Sequence, residues 1–317
     1  MLLYAVCAVG ALVAHDTALA ELSMTFARHS ERMVLESLET PDLTTLQTLL
    51  ILGQLEIGHG HSSKGWLYCG TAFRLTYEMG LHLDPNNWSQ GCSDNSRTAS
   101  TADLEVLRRV YWAAFVLDKQ LSLYFGRPPA LYPDEADVRD TIRIPYPPEW
   151  EGLLDTYISK DTSFTVFEDG IALVGAFVHW VELAKIFHTM IVDVFENRRK
   201  TNNQAVTETA HQVHLAMDRW LSTLPQKLHW SQWTVTCVPH YVLHLHMLFH
   251  TGMIILHRPP RKHLENTDIH QSEDVEICYG SLAAIIQLLR TFGRQHRYQS
   301  LPLSFVHTHL LRQVWFS

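Results

Sequence analysis

The sequence predicts an all-α protein, a single large helical domain of roughly ten helices spanning residues 1–317, with long irregular connections. Apolar residues recur with a helical period along nearly all of the chain. Alternating, β-branched strand patterns are almost absent. With 46% hydrophobic and 18% charged residues, the chain has an ordinary globular balance and can bury a core.

Glycine and proline mark the ends of the helices in the first half of the chain. The apolar segment 43–57 predicts a helix that ends at Gly58-His59-Gly60. The following helix runs to Gly80, a residue suited to a left-handed C-terminal stop, and Pro85 prevents it from resuming.

The next helix is predicted to begin at a capping box formed by Ser100 and Asp103. It carries one apolar stripe and ends at Gly126, before two prolines. Glu105 and Arg109 are four residues apart, a spacing that favours an ion pair. After a long irregular connection, the remaining helices are predicted over 166–199, 203–222, 239–257, 270–293 and 303–316.

The opening segment, MLLYAVCAVGALVAH, permits two interpretations by composition. Its length and the following Ala18-Leu19-Ala20 resemble a signal peptide, and Asn87 begins a glycosylation tripeptide, which together would indicate a secreted helical protein. However, no lysine or arginine precedes Arg28, so the positive segment of a signal peptide is missing. The segment is also too short to span a membrane.

Charge and cysteine usage exclude two classes of site. With 25 basic and 33 acidic residues the net charge is −8, which repels a phosphate backbone, and the short basic clusters 198–200 and 261–262 are too small for a DNA footprint. The five cysteines are scattered without a Cys-x-x-Cys pair, so they indicate neither a disulfide framework nor a zinc site.

Histidines provide the strongest pattern for an enzyme. His246, His250 and His257 lie on one stripe of an apolar helix, a spacing that could hold a metal in a histidine-box metalloenzyme. No aspartate or glutamate occurs between Arg219 and Leu264, so no carboxylate partner lies nearby in sequence. We therefore favour neutral, hydrogen-bonded core histidines. No nucleophile elbow or zinc-protease motif is present, and no enzymatic activity is expected.

Three segments together resemble the fungal-specific transcription factor domain, the middle homology region of binuclear zinc-cluster factors of the xylanolytic-activator type. They are residues 46–85, 107–131 and 245–259. The family-motif residues, for which a structural role is expected, are Gly80, His82, Arg108, Arg109, Trp112, Asp118, Gly126, Arg127, Pro128, His257, Arg258 and Pro259.

The resemblance implies a regulatory domain that modulates transcription in the nucleus, and it favours a core helix over a signal peptide for the opening segment. Family members bind DNA through an N-terminal cluster of six cysteines and two zinc ions, which this sequence lacks. We therefore expect no cofactor in this chain, and DNA contact only through a missing or partner domain. The expected partners are transcriptional machinery or other regulators, a second copy of the chain or a small-molecule inducer, with no membrane. Arg127 is expected either to be a buried charge, satisfied by backbone carbonyls or by Asp118, or to lie exposed at its helix end.

Overall fold

The computed structural model describes residues 1–14, 17–90, 101–138, 166–196, 203–231, 238–258 and 273–296. Within these residues all regular structure is helical, with nine α-helices and short 3-10 turns, which confirms the all-α prediction. The chain divides into two compact units, Met1–Pro145 and Tyr146–Ser317, and each is described by itself. The assignment of residues 1–317 to one domain stays a prediction.

Among its described residues, the first unit has five α-helices: α1 (Leu2–Val13), α2 (Thr17–Ser37), α3 (Leu43–Gly58), α4 (Ser62–Glu78) and α5 (Thr101–Phe125). The predicted helix ends at the glycines near 58, 80 and 126 are confirmed. Asp42 caps α3, because its carboxylate accepts the backbone N–H of Thr45 at 2.8 Å. The box predicted at Ser100 lies outside the described residues.

The opening segment forms α1 and packs against α2 and α3. Its buried face consists of Ala5, Ala8 and Ala11, whose small side chains allow α2 to approach closely. Ser23 of α2 donates to the carbonyl of Ala8 at 2.7 Å. The helix is therefore part of the fold, although only its alanine face is buried and side chains such as Leu3 remain exposed.

Two glycines allow α3 and α4 to cross in contact. A Cβ atom on Gly65 would lie 2.5 Å from the carbonyl oxygen of Gly53, and one on Gly53 would collide with the sulfur of Cys69. Residues 59–61 form the turn that leads from α3 into this crossing.

The second unit contains α6 (Val166–Thr189), a π-helix (Met190–Glu196), α7 (Asn203–Thr223), α8 (His240–His257) and α9 (Glu273–Gln295). The π-helix corrects the prediction of one continuous helix over 166–199. Helix α8 is the core helix, packed against α6, α7 and α9. The helix predicted over 303–316 lies outside the described residues.

Helix α9 is long and apolar enough to cross a membrane by length and composition. It carries Val275, Cys278, Ile285, Leu288 and Phe292 on its buried side and packs against α8. A helix that forms part of a protein core meets the same criterion, so this finding is weak evidence for a membrane span.

Candidate functional site

The first predicted segment ends in a turn held by a buried ion pair. Gly80 takes the left-handed conformation, with φ of 66°, so the chain reverses after α4. Four residues on, the carboxylate of Asp84 accepts two hydrogen bonds from Arg108 of α5, at 2.7 and 3.2 Å. Asp84 is 1% exposed, so this bidentate pair is shielded from water. The hydrogen bond from Arg108 to Asp84 raises the pKa of the guanidinium.

Glu105 lies one turn before Arg108 and is also buried. Its carboxylate is 3.4 Å from Arg109 and 3.7 Å from Arg108, which confirms the predicted pair with Arg109. Burial raises the pKa of Glu105, and the two arginines offset only part of this effect.

Asp137 joins the turn after α4 to the segment after α5. Its carboxylate accepts the backbone N–H of Asp84 and the side-chain amide of Asn87, the latter at 2.7 Å. Its own N–H donates to the carbonyl of His82 at 3.0 Å. The ring of His82 packs against Tyr77, whose hydroxyl reaches Glu135 at 3.0 Å. The first two family-like segments themselves meet through the pair of Asp84 and Arg108.

The second segment ends as the sequence predicts, at Gly126, and the structure decides between the two alternatives for Arg127. Gly126 takes φ of 63° and ends α5, and the N–H of Arg127 donates back to the carbonyl of Ser122 at 3.2 Å. Arg127 is exposed and stacks over the rings of Trp66 and Phe125, at 4.7 and 5.0 Å. The exposed alternative is therefore correct, and the alternative of a buried Arg127, satisfied by carbonyls or by Asp118, is wrong. Pro128 is exposed as well.

Asp118 instead pairs with its neighbour Lys119, in the interior of the unit. The two side chains are 1% and 0% exposed, and their charged groups lie 2.7 Å apart. Asp118 also accepts the N–H groups of Ala130 and Leu131 at 2.9 to 3.0 Å, while Lys119 donates to the carbonyl of Leu131. The pair thus fastens the segment after α5 to the helix. Burial lowers the pKa of Lys119, and the carboxylate of Asp118 opposes this shift.

The predicted apolar stripe of α5 is buried from Val110 to Leu121, and burial extends beyond the stripe. Residues 110–122 are buried nearly all round, because Trp112 and Phe115 pack beside the stripe and Lys119, paired with Asp118, lies over the ring of Phe115 at 4.4 Å. Trp112 is 2% exposed, with Tyr111 and Phe115 edge-on to its ring. Sequence reasoning missed Lys119 and Asp137, since nothing in the local pattern marks a buried lysine or a distant aspartate as a partner.

The histidines of α8 have separate surroundings. His246 is buried and its Nε2 is 2.9 Å from the carbonyl of Leu228, while His244 packs against Trp180. Burial lowers the pKa of His244 to about 3 and that of His250 to about 4, so both are neutral. This supports the core interpretation, except that Nδ1 of His250 has no hydrogen-bond partner among the described residues.

His257 departs from the core interpretation. Its Nδ1 lies 2.6 Å from Asp274 of α9 and its Nε2 lies 2.7 Å from His214 of α7. No carboxylate lies near His257 in sequence, but the fold brings in Asp274 from 17 positions away. Arg258 is exposed after the end of α8, and Pro259 lies outside the described residues. Within the described residues no group of three or more His, Cys, Asp or Glu side chains is placed to hold a metal ion.

Comparison with known proteins identifies the family. The sequence signature described as "Fungal specific transcription factor domain" matches residues 1–224. The chain belongs to this family. It is 41% identical over 310 residues to a transcriptional regulatory protein of Schizosaccharomyces pombe, covering 96% of this chain and 49% of that protein. No solved structure matches.

Other relatives are named for transcriptional roles. The activatory protein CHA4 of Saccharomyces cerevisiae is 28% identical over 249 residues, 73% of this chain and 36% of CHA4. The nitrogen assimilation transcription factor nirA of Emericella nidulans is 25% identical over 286 residues, 87% of this chain and 30% of nirA. The chain spans about half the length of the curated relatives it matches.

The family signature contains the first two segments, with the buried pairs of Asp84 and Asp118. It ends at residue 224, before the third segment, 245–259. Membership of the family therefore does not rest on the third segment. The roles of His257, Arg258 and Pro259 stay predictions.

Proposed function

We propose that this chain is the regulatory domain of a nuclear transcription factor, and that it acts on transcription through protein contacts. The observation that carries the proposal is the family match over residues 1–224, together with relatives named as regulators and activators of transcription. The contacts expected are with other regulators or the transcriptional machinery. A homodimer and a small-molecule inducer stay predictions.

The geometry of the family-like residues supports a structural and regulatory role over catalysis. Asp118 and Lys119 pair with each other and Arg108 pairs with Asp84. The side chains of Asp118 and Lys119 are also inaccessible to a substrate. A catalytic acid or base needs access to the atom whose proton it moves. We therefore propose that the chain has no enzymatic activity.

Under this proposal, a separate segment or a partner protein recognises DNA. A net charge of −8 disfavours contact with a phosphate backbone. The zinc cluster that the family uses for this purpose has no counterpart among the five scattered cysteines. We propose that the chain itself carries no zinc or other cofactor.

A tethering experiment tests the function. The full chain is fused to a DNA-binding domain of unrelated specificity and placed at a reporter gene, with that DNA-binding domain alone as the control. We expect reporter expression to change, in either direction, and the variant Asp118→Ala to abolish the change while Glu78→Ala, at an exposed position of α4, preserves it. A folded, nuclear fusion that leaves the reporter at the control level would contradict the proposal.

Metal analysis of the purified chain separates the histidine-box alternative. We expect less than stoichiometric zinc and iron. One iron or zinc per chain that survives dialysis, and is lost in His246→Gln, would favour the metalloenzyme instead.

A further inference from the structure

The outward side of α1 is apolar along its whole length. Five of its residues are exposed, with 74% of Leu3 and 51% of Val6 open to solvent. With about 3.6 residues per turn, these five lie opposite the three alanines that form the buried side of the helix. We call Leu3, Val6, Val9, Gly10 and Val13 the α1 face.

The apolar surface continues from the α1 face onto α2. The ring of Tyr4 stacks with that of His29 at 5.7 Å and lies 6.3 Å from that of Phe26. Leu3 and Met33 line one open groove of about 540 Å³. On the stripe of α2 that contains Phe26, the exposed apolar side chains are Leu19, Leu22 and Met33.

The charge of the molecule favours a second copy of this chain as the cover of this surface. A helix that is hydrophobic on all sides is normally buried, and a large exposed apolar patch marks an interaction site. Each chain has a net charge of −8, so two copies repel each other over most of their surface. Helix α1 contains no charged side chain, so two α1 faces can meet without opposing like charges.

The shape of the α1 face favours two copies that run in opposite directions. Leu3 and Val6 project from its first half, whereas a Cβ atom on Gly10 would have no neighbouring atom within 4 Å. A two-fold axis through the middle of α1 places Val6 of one copy in the gap at Gly10 of the other, and Leu3 against Val13. In a parallel pair, Gly10 would face Gly10 and leave a gap.

The area of this surface sets the strength of the association. The 12 residues of α1 extend over about 18 Å, and two adjacent helices are about 20 Å wide. The flat area is therefore about 400 Å² on each copy, whereas a stable complex buries about 800 Å² on each partner. An association of this size is reversible.

We propose that two copies of this chain form a reversible dimer through their α1 faces, with the two α1 helices antiparallel and Val6 of each copy seated at Gly10 of the other. The exposed apolar side chains of α2 surround this central contact. Sedimentation measures the dimer whatever the reporter assay shows, so the dimer and the regulatory function can fail separately.

Sedimentation of the full chain over the micromolar range tests the association. We expect a monomer–dimer equilibrium that Leu3→Glu weakens at least tenfold, because a carboxylate would be buried in the contact. Leu3 is the second residue of α1, where glutamate favours the helix, so the variant keeps its fold. A wild-type chain that stays monomeric, or that forms larger assemblies without a dimer, would overturn the proposal.

The matched control is Leu67→Glu, the same substitution at a position of α4 that is 67% exposed. It adds the same charge outside the α1 face and should change the dimerisation constant less than twofold. Equal weakening by Leu3→Glu and Leu67→Glu would show that added charge alone opposes association, and would overturn the assignment to the α1 face.

A second variant separates the proposed fit from general apolar attraction. Gly10→Leu adds apolar surface in open space, so the monomer tolerates it. If Val6 of the other copy occupies the gap at Gly10, the added side chain should weaken dimerisation at least tenfold. Stronger association of Gly10→Leu would overturn this fit, because a contact that only buries apolar area would gain from the extra side chain.

Disulfide cross-linking in a Cys7→Ser background reads the orientation of the two copies. Copies with Val6→Cys are mixed with copies with Gly10→Cys and oxidised, and the background protein alone is the control. The mixture should give more linked dimer than either variant alone, since a disulfide requires Cα atoms about 4.4–6.8 Å apart. More linked dimer from Val6→Cys alone would indicate parallel helices and contradict the antiparallel pair.

Discussion

The two units handle buried polar groups in opposite ways. The first encloses charged pairs, Asp84 with Arg108 and Asp118 with Lys119, whose members neutralise each other. The second contains the neutral imidazoles of His246, which is buried, and of His244 and His250, which are partly buried. A buried charge requires a partner of opposite charge, whereas a buried histidine can discard its proton. The cost of burying an ionisable group is therefore offset by ion pairing in the first unit and avoided by loss of the proton in the second.

This difference predicts separate responses to acid. Burial is the main cause that lowers the pKa of each of the three α8 histidines. A folded-state pKa below the unfolded value of about 6.5 contributes stability that is complete above pH 6.5 and is lost as the pH falls towards the folded value. In the first unit, burial raises the pKa of Glu56, but hydrogen bonds from Lys64 and His61 outweigh it and lower the pKa below 4.5. Its contribution is present above pH 4.5 and is lost only below that value.

The largest expected effect comes from breaking the buried pair of the first unit. Asp118→Ala leaves the charge of Lys119 in the interior and removes the acceptor of two backbone N–H groups, so we expect a loss of about 3–5 kcal/mol in the free energy of unfolding. Denaturant titration measures this loss. The exposed carboxylate of Glu78 provides the control, and Glu78→Ala should change stability by less than about 0.5 kcal/mol. A loss below 1 kcal/mol for Asp118→Ala would show that the pair does not hold the unit together.

The helix crossing of the first unit should tolerate an added methyl group less well than that of the second. Gly65→Ala drives a Cβ atom against the backbone of α3, and overpacking of this kind costs about 1–3 kcal/mol. Gly252→Ala instead meets the ring of Phe187 and the terminal methyl of Met217, which can move, so its cost should be smaller. Thermal denaturation compares the two.

Two further glycines serve as controls for these substitutions. Gly70 and Gly280 have open space where a Cβ atom would lie, and alanine there should be neutral or stabilising by up to about 1 kcal/mol because alanine favours the helix. Equal losses at Gly65 and Gly70 would refute the close crossing.

The contribution of one buried histidine can be isolated. Nδ1 of His250 has no described hydrogen-bond partner, so His250→Leu leaves no donor orphaned there. Each pH unit below 6.5 costs about 1.4 kcal/mol for a buried neutral histidine, so the variant should gain about 2 kcal/mol over wild type between pH 7 and pH 5.

The exposed residue His211 gives the comparison for that variant. His211→Leu should leave the pH dependence of unfolding unchanged, as measured by denaturant titration at both pH values. If His250→Leu and His211→Leu have the same pH dependence, burial of His250 is not a source of acid sensitivity.

The smallest effect is expected at the end of α5. Gly126 has φ of 63°, and a Cβ atom there would meet no neighbouring atom. Alanine should therefore destabilise the protein only through the left-handed backbone conformation, by about 1–2 kcal/mol. A lower melting temperature for Gly126→Ala, with Gly126→Asn intermediate, would confirm the backbone role. Equal melting of all three proteins would contradict it.

Local features of this chain could be predicted from the sequence, and partner identities could not. Helix periodicity with Gly58, Gly80 and Gly126 located the helix ends, because backbone conformation depends on a few adjacent residues. The partners of Asp118 and His257 were assigned wrongly or missed, since Lys119 is adjacent on the helix and Asp274 belongs to another helix. Such contacts are decided by tertiary packing. The π-helix after Thr189 could not be predicted either, because the spacing of apolar residues does not distinguish it from a continued α-helix.

Hydrogen exchange of the full chain at pH 7 and pH 5, followed by peptide and corrected for intrinsic rates, tests the contrast between the units most directly. Amides of α8 in the second unit should lose protection at pH 5, while amides of α3 and α5 in the first unit keep theirs. Loss of protection in both units together, or in α5 before α8, would contradict the distinction between paired charges and neutral histidines.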